Sequence, residues 1–126
     1  MTRRFGVIAV ERSAGATALG ALVAEGRQIS ATGRRVVIYP EGTRVRIGQA
    51  PPLKSGFAAL YRALGLPVVP VAVDSGRFWG RGLLHRSGTV TVKVGETIPA
   101  GLDRKQLEQR VHTAINALEL APEASA

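Results

Sequence analysis

Apolar residues in this chain form short continuous runs that alternate with stretches of helical spacing. Runs of four to seven residues rich in valine and isoleucine are typical of β-strands buried on both faces. A further segment, in which valine alternates with polar residues, has the period of a half-buried strand. We therefore predict four strands, at residues 5–10, 36–39, 67–73 and 89–94.

Three other stretches carry apolar residues three and four positions apart, which is the spacing along one face of a helix. Candidate N-caps precede them at Ser13, Ser55 and Asp103, and the first two helices are predicted to end near Ala31 and at Gly65. The predicted inward faces are Leu19, Leu22, Val23 and Gly26; Phe57, Leu60, Tyr61 and Leu64; and Leu107, Val111, Ile115 and Leu118.

The predicted order β-α-β-α-β-β-α indicates an α/β fold with a largely parallel β-sheet flanked by helices. At 126 residues the chain has room for one domain at most. We assign residues 1–120 to a portion of a single domain and expect residues 121–126 to be a disordered tail.

The second predicted strand ends in Pro40-Glu41-Gly42-Thr43-Arg44, where the chain's candidate chemistry is concentrated. Pro40 ends the hydrogen bonding of the predicted strand because it has no N–H to donate, and Gly42 lets the backbone turn. Arg44 carries a planar guanidinium that can bind a phosphate or a carboxylate through two hydrogen bonds. Ligands of open α/β sheets bind at such carboxyl ends of strands, so we interpret this segment as a site.

This segment and its surroundings resemble the PlsC-like glycerolipid acyltransferases, which esterify 1-acyl-sn-glycerol-3-phosphate (lysophosphatidic acid). The third sequence block of that family corresponds to residues 40–44. The second block, a strand ending in an acidic residue and an arginine, corresponds to residues 6–12, and the fourth, a strand around a proline, to residues 68–73. The resemblance covers residues 5–119 and implies that family's fold, N-terminally incomplete in this chain.

The resemblance implies a substrate-binding role for several residues. Arg12 and Arg44 would bind the phosphate of lysophosphatidic acid, with solvated loop arginines as the alternative. Glu41 would contact the glycerol portion or pair with an arginine, or else only cap nearby N–H groups. Gly42 and Thr43 would offer backbone and hydroxyl hydrogen bonds. Lys54 would add charge to the same pocket, although a lysine at a helix start is often merely solvated.

The family's first block, a histidine followed five residues later by an aspartate, has no counterpart in this sequence. The histidines are His85 and His112, and Val90 and Ala117 stand five residues after them. We therefore name no catalytic residue, and we interpret both histidines as structural. We expect the chain to be a truncated acyltransferase sequence that is inactive, and aggregation-prone, by itself.

A net charge of +8 predicts an anionic partner, and only three of the 17 basic residues are lysine. The implied partners are lysophosphatidic acid and an acyl thioester, either acyl-CoA or acyl carrier protein, as co-substrate. No metal or other cofactor is implied. The alternative function is a non-catalytic anion-binding module for acidic lipid headgroups or nucleic acid. Few aromatic residues and no nucleic-acid motif speak against nucleic acid.

Phe78 and Trp79 lie in a loop with Arg77 and Arg81, a mixture of side chains suited to a membrane interface. We expect the protein to be peripheral, at the cytoplasmic face of the membrane. The alternative is that both rings pack onto the edge of the sheet.

Overall fold

The computed structural model describes residues 15–79 and 84–118. They form a small α/β fold with three α-helices and one two-stranded sheet. The elements in chain order are α1 (Gly15–Ala31), α2 (Ser55–Leu64), β1 (Val71–Val73), a 3₁₀ turn (Ser75–Arg77), β2 (Val92–Val94) and α3 (Arg104–Ile115).

Helices α1 and α2 pack closely because Gly26 has no side chain at their contact. Gly26 is buried on α1, as its place on the predicted apolar face requires. A Cβ built on Gly26 would lie 2.9 Å from Cδ1 of Leu60, which is closer than real Cβ atoms approach. The glycine therefore allows the two helices to come closer than any other residue would.

The predicted helix boundaries are confirmed at three points and wrong at one. Helix α1 ends at Ala31, and Gly65 follows α2 in the left-handed conformation, with its N–H donating to the Tyr61 carbonyl. Asp103 caps α3 by accepting from the Gln106 N–H at 2.9 Å. Ser55 is not the cap of α2: the helix begins at that residue and Lys54 precedes it without a side-chain capping bond. The predicted cap at Ser13 lies outside the described residues.

The main core joins α2 to α3. Phe57 and Tyr61 from α2 are buried in one cluster with Leu107 and Val111 from α3, and the cluster also includes Ala58 and Ile98. The Tyr61 hydroxyl is also satisfied, because it donates to the Pro99 carbonyl and accepts from the Leu102 N–H. The inward faces predicted for these two helices are thus confirmed at their central positions.

Strands β1 and β2 are antiparallel, with Val71 opposite Val94 and Val73 opposite Val92. Residues directly opposite each other share a face of the sheet. Ala72 is buried on the face that α3 covers. The four valines lie on the other face, where they are 42–65% exposed. We call these four residues the valine face.

The strand predicted at 36–39 is wrong: these residues have no regular secondary structure in the described chain. A strand is stabilised by its hydrogen-bonded neighbour, and Val37 and Tyr39 are 78% and 84% exposed rather than buried in a sheet. The strand predicted at 5–10 lies outside the described residues, as does the tail predicted at 121–126. The two later strands are present but shorter than predicted. The largely parallel sheet is therefore not confirmed.

The valine face predicts self-association of the isolated chain, because contiguous exposed apolar surface favours burial against another molecule. We expect Val92→Thr with Val94→Thr, which keeps the side chains β-branched, to lower the fluorescence of a bound apolar dye. We also expect the double variant to shift gel-filtration elution toward the monomer.

Val37→Thr is the control, since Val37 is even more exposed than Val92 and Val94 but lies outside the sheet. A wild-type chain that elutes as a monomer and binds no dye would contradict this prediction.

Candidate functional site

Residues 40–54 form a closed loop whose two ends are hydrogen-bonded to each other. The Lys54 N–H donates to the Pro40 carbonyl at 2.9 Å, where α2 begins. Gly42 has a φ of 69°, a left-handed conformation that favours glycine, and its N–H donates to the Tyr39 carbonyl at 3.1 Å. We call this segment the 40–54 loop; its first turn carries the residues of the Pro-Glu-Gly-Thr-Arg motif.

The structure brings Lys54 onto the turn that Gly42 forms. A Cβ built on Gly42 would lie 2.9 Å from Cγ and 3.7 Å from Cε of Lys54. The aliphatic stem of the lysine therefore lies across the glycine, in the space that any other residue would fill. Closure of the loop thus places the stem of Lys54 beside the motif, and the shared pocket stays a prediction.

The motif residues line an open concavity of about 410 Å³ on the surface of the loop. Thr43 and Arg44 are exposed there, while Glu41 and Gly42 are half-buried. Tyr39 also lines the concavity, although its position before the motif is the only sequence feature that connects it to the site. A cavity of this size is within the range of ligand pockets.

That Gly42 offers backbone hydrogen bonds to a ligand stays a prediction. Its N–H is already engaged by the Tyr39 carbonyl within the turn. The contribution of Gly42 in the structure is conformational: it makes the turn and leaves room for Lys54. Arg12, the second arginine predicted to bind the phosphate, lies outside the described residues, so its distance from Arg44 is not part of the described geometry.

The two aromatic residues predicted for a membrane interface have different environments. Phe78 is half-buried and its ring occupies the space over Gly88, where a Cβ would collide with it. Phe78 is therefore packed within its own loop, and packing onto the sheet edge stays a prediction. Trp79 is 70% exposed, and its ring centroid lies 4.9 Å from that of His85. Only Trp79 presents most of its ring to the surroundings.

Both histidines have structural contacts, in line with their predicted roles. His85 stacks obliquely on Trp79 and forms an isolated antiparallel bridge with it. Nε2 of His112 lies 3.0 Å from the carbonyl oxygen of Ala50, in the 40–54 loop. No local signal in the sequence indicated that partner, because the two residues are 62 positions apart.

Residues 15–79 and 84–118 contain no group of three or more His, Cys, Asp or Glu side chains arranged to hold a metal ion. None of the helices in those same ranges is long and apolar enough to span a bilayer.

The model of the acyltransferase family matches residues 1–74, which is more than half of the sequence. The chain belongs to this family. The match includes the whole of the Pro-Glu-Gly-Thr-Arg motif and the 40–54 loop, so the concavity described above belongs to the matched part of an acyltransferase sequence.

Curated relatives place the chain among the PlsC-like acyltransferases. It is 37% identical over 94 residues to a 1-acyl-sn-glycerol-3-phosphate acyltransferase of Pseudomonas aeruginosa, covering 74% of this chain and 37% of the relative. It is 34% identical over 116 residues to the human 1-acyl-sn-glycerol-3-phosphate acyltransferase beta, covering 90% of this chain and 42% of the relative. The chain thus spans about two-fifths of these proteins. No solved structure matches it.

The contact between Lys54 and Gly42 predicts a coupled effect of substitutions in this acyltransferase loop. Gly42→Ala should lower the free energy of unfolding by about 1–2 kcal/mol because of the positive φ at this position. The contact of the new Cβ with Lys54 should lower it further. In a Lys54→Ala background the same substitution should cost less, with a coupling of about 0.5 kcal/mol or greater. Urea denaturation of the four variants measures this.

Gly33→Ala is the matched control, since Gly33 has a φ of 76° but no atom within 4 Å of its ideal Cβ. Gly33→Ala should lower the free energy of unfolding by the same amount with and without Lys54→Ala. Equal costs of Gly42→Ala in both backgrounds would show that Lys54 does not lie across the glycine.

Proposed function

We propose that the 40–54 loop binds the phosphate of lysophosphatidic acid, and that the chain contributes this site to acyl transfer in phospholipid biosynthesis. The observation that carries the proposal is that the stem of Lys54 lies across Gly42, in the turn whose residues 41–44 line the concavity. Membership of the acyltransferase family, and relatives named for 1-acyl-sn-glycerol-3-phosphate, support this choice of anion.

Each motif residue has a proposed role that follows from its chemistry. The guanidinium of Arg44 would donate two hydrogen bonds to phosphate oxygens. The Lys54 ammonium would add a point charge, and the Thr43 hydroxyl a further donor. Glu41 would bind the glycerol portion, because a carboxylate accepts from hydroxyl groups but repels a phosphate. In the complete site Arg12 would be the second phosphate ligand.

The reaction itself needs groups beyond this loop. The acceptor hydroxyl attacks the carbonyl carbon of the acyl thioester of coenzyme A or acyl carrier protein. The C–S bond breaks, and the hydroxyl proton must pass to a base. In the described residues, His85 lies against Trp79 and His112 against Ala50. Because neither histidine is followed by an aspartate at the family spacing, we propose that this polypeptide alone has no transferase activity.

The binding role of Arg44 can be measured directly. We expect Arg44→Ala to weaken binding of a short-chain lysophosphatidic acid by about 10- to 100-fold, because hydrogen bonds to a charged group are lost. Arg44→Lys should recover only part of the affinity, since the ammonium lacks the planar fork. Isothermal titration calorimetry below the micelle concentration gives both values.

Arg110→Ala removes the same charge from an exposed position on α3 and is the matched control. An equal loss of affinity in this control would show that net charge alone attracts the ligand. A monoacylglycerol without the phosphate should not bind. Turnover of acyl-CoA and lysophosphatidic acid by the wild-type chain, if abolished by Arg44→Ala, would contradict the proposed inactivity.

The second part of the proposal concerns location: we place the protein at the cytoplasmic face of a membrane, as a peripheral protein. The exposed ring of Trp79 supports this, together with Arg86, which follows the His85 that contacts the ring. Indole rings and basic side chains both lodge favourably where headgroups meet the acyl region. The alternative of a non-catalytic anion-binding module gains no support from the comparisons.

Trp79 is the only tryptophan in the sequence, so its fluorescence reports this contact without a label. We expect a blue shift with phosphatidylglycerol vesicles and a smaller one with phosphatidylcholine. Arg86→Ala should weaken the response, whereas Arg110→Ala should not. An emission maximum unchanged by anionic vesicles would rule out Trp79 as the membrane contact.

A further inference from the structure

The 40–54 loop is hydrogen-bonded to α3 at a point away from its base. The carbonyl of Ala50 lies 3.0 Å from Nε2 of His112 on α3. Near the tip of the loop, Cγ1 of Ile47 would lie 3.5 Å from a Cβ on Gly76, in the 3₁₀ turn. Gly76 has no Cβ, so Ile47 is only near the 3₁₀ turn, whereas the bond to His112 joins the loop to α3.

The hydrogen bond with His112 has a defined direction. A carbonyl oxygen only accepts, so Nε2 must carry the hydrogen and donate it. The donor is firmly placed, because His112 follows Val111, which is 3% exposed in the core, and α3 is capped by Asp103. Ala50 precedes Pro51 and Pro52, which have no N–H with which to hold this part of the loop by donation.

The position of Ala50 matters for the site because it lies four residues before Lys54. Holding Ala50 against α3 fixes the chain that returns to the base of the loop, where Lys54 crosses Gly42. We propose that His112 is a positioning residue, which fastens the 40–54 loop to α3 and so preorganises the anion site before a ligand arrives. This inference rests on the proposed function for its ligand, but the fastening itself does not.

Preorganisation predicts a measurable difference in both loop opening and affinity. Without the His112 donor, the loop would become ordered only when the phosphate binds. The loss of conformational entropy on ordering would then oppose binding and lower the affinity. One hydrogen bond of this kind corresponds to a change of about 2- to 10-fold in an equilibrium constant.

The experiment compares His112→Leu, which removes the donor, with His112→Gln, whose side-chain amide can still donate to the Ala50 carbonyl. Amide hydrogen exchange is followed at Lys54 and Gln49, whose N–H groups are bonded within the loop to Pro40 and Arg46. The amide of Leu107, bonded to Asp103 within α3, is the internal reference for global stability. Affinity for sn-glycerol 3-phosphate is measured on the same samples.

We expect His112→Leu to accelerate exchange of the two loop amides by about 2- to 10-fold, to leave Leu107 unchanged and to weaken binding by a similar factor. His112→Gln should restore both. Equal acceleration at Leu107 would mean that His112 acts only on overall stability, and it would overturn the proposal. Unchanged exchange in the loop, or accelerated exchange with unchanged affinity, would overturn it as well.

Failure of the proposed function gives a different result. If the wild-type chain does not bind glycerol phosphate, the proposed function fails, whereas accelerated loop exchange in His112→Leu would still establish the fastening.

Discussion

The burial of α2 against α3 is the interaction on which the candidate site depends. Phe57 and Tyr61 pack with Leu107 and Val111 in one cluster, and each such side chain contributes about 1.5–3 kcal/mol by leaving water. Lys54 immediately precedes α2, and His112 lies on α3. Because these two helices are fixed to each other, the base of the 40–54 loop and its fastening point have a fixed separation.

The 40–54 loop spans that fixed separation and forms the surface proposed to bind the phosphate. Its ends are joined by the bond from Lys54 to Pro40, so the lysine lies beside the motif turn although nine residues separate it from Arg44. Gly42 supplies the left-handed turn and the space for the lysine stem. Residues 41–44 line one open concavity and the stem of Lys54 lies beside their turn, an arrangement that suits the proposed phosphate better than an extended polyanion.

Local signals in the sequence predicted those parts of the structure that local interactions determine. The apolar spacing of α2 and α3, the Asp103 cap and the Gly65 terminus all depend on residues within a turn or two. The apolar run at 36–39 has the composition of a strand, but composition cannot supply a hydrogen-bonded neighbour. Ser55 is a common capping residue, yet here the helix includes it, since Lys54 is fixed by the bond that closes the loop.

In the candidate site, too, some features follow from local sequence and others from contacts between distant segments. The Pro-Glu-Gly-Thr-Arg motif and Lys54 were identifiable because residue type and order carry the family resemblance. The contact of Lys54 with Gly42 and the bond from His112 to Ala50 depend on how distant segments meet, and neither leaves a periodic or compositional trace. The different environments of Phe78 and Trp79 could not be predicted from the sequence either. Adjacent aromatic residues have similar tendencies to be buried, and only the packing of the Phe78 ring over Gly88 distinguishes them.

The most direct test of this account is a titration of the wild-type chain with sn-glycerol 3-phosphate, followed through backbone amide chemical shifts. Binding at the 40–54 loop predicts saturable shifts at Thr43, Arg44 and Lys54, with little change at Lys93 on β2. Shifts that grow without saturation at arginines throughout the chain would show only general attraction of an anion to a basic protein, and would contradict the account.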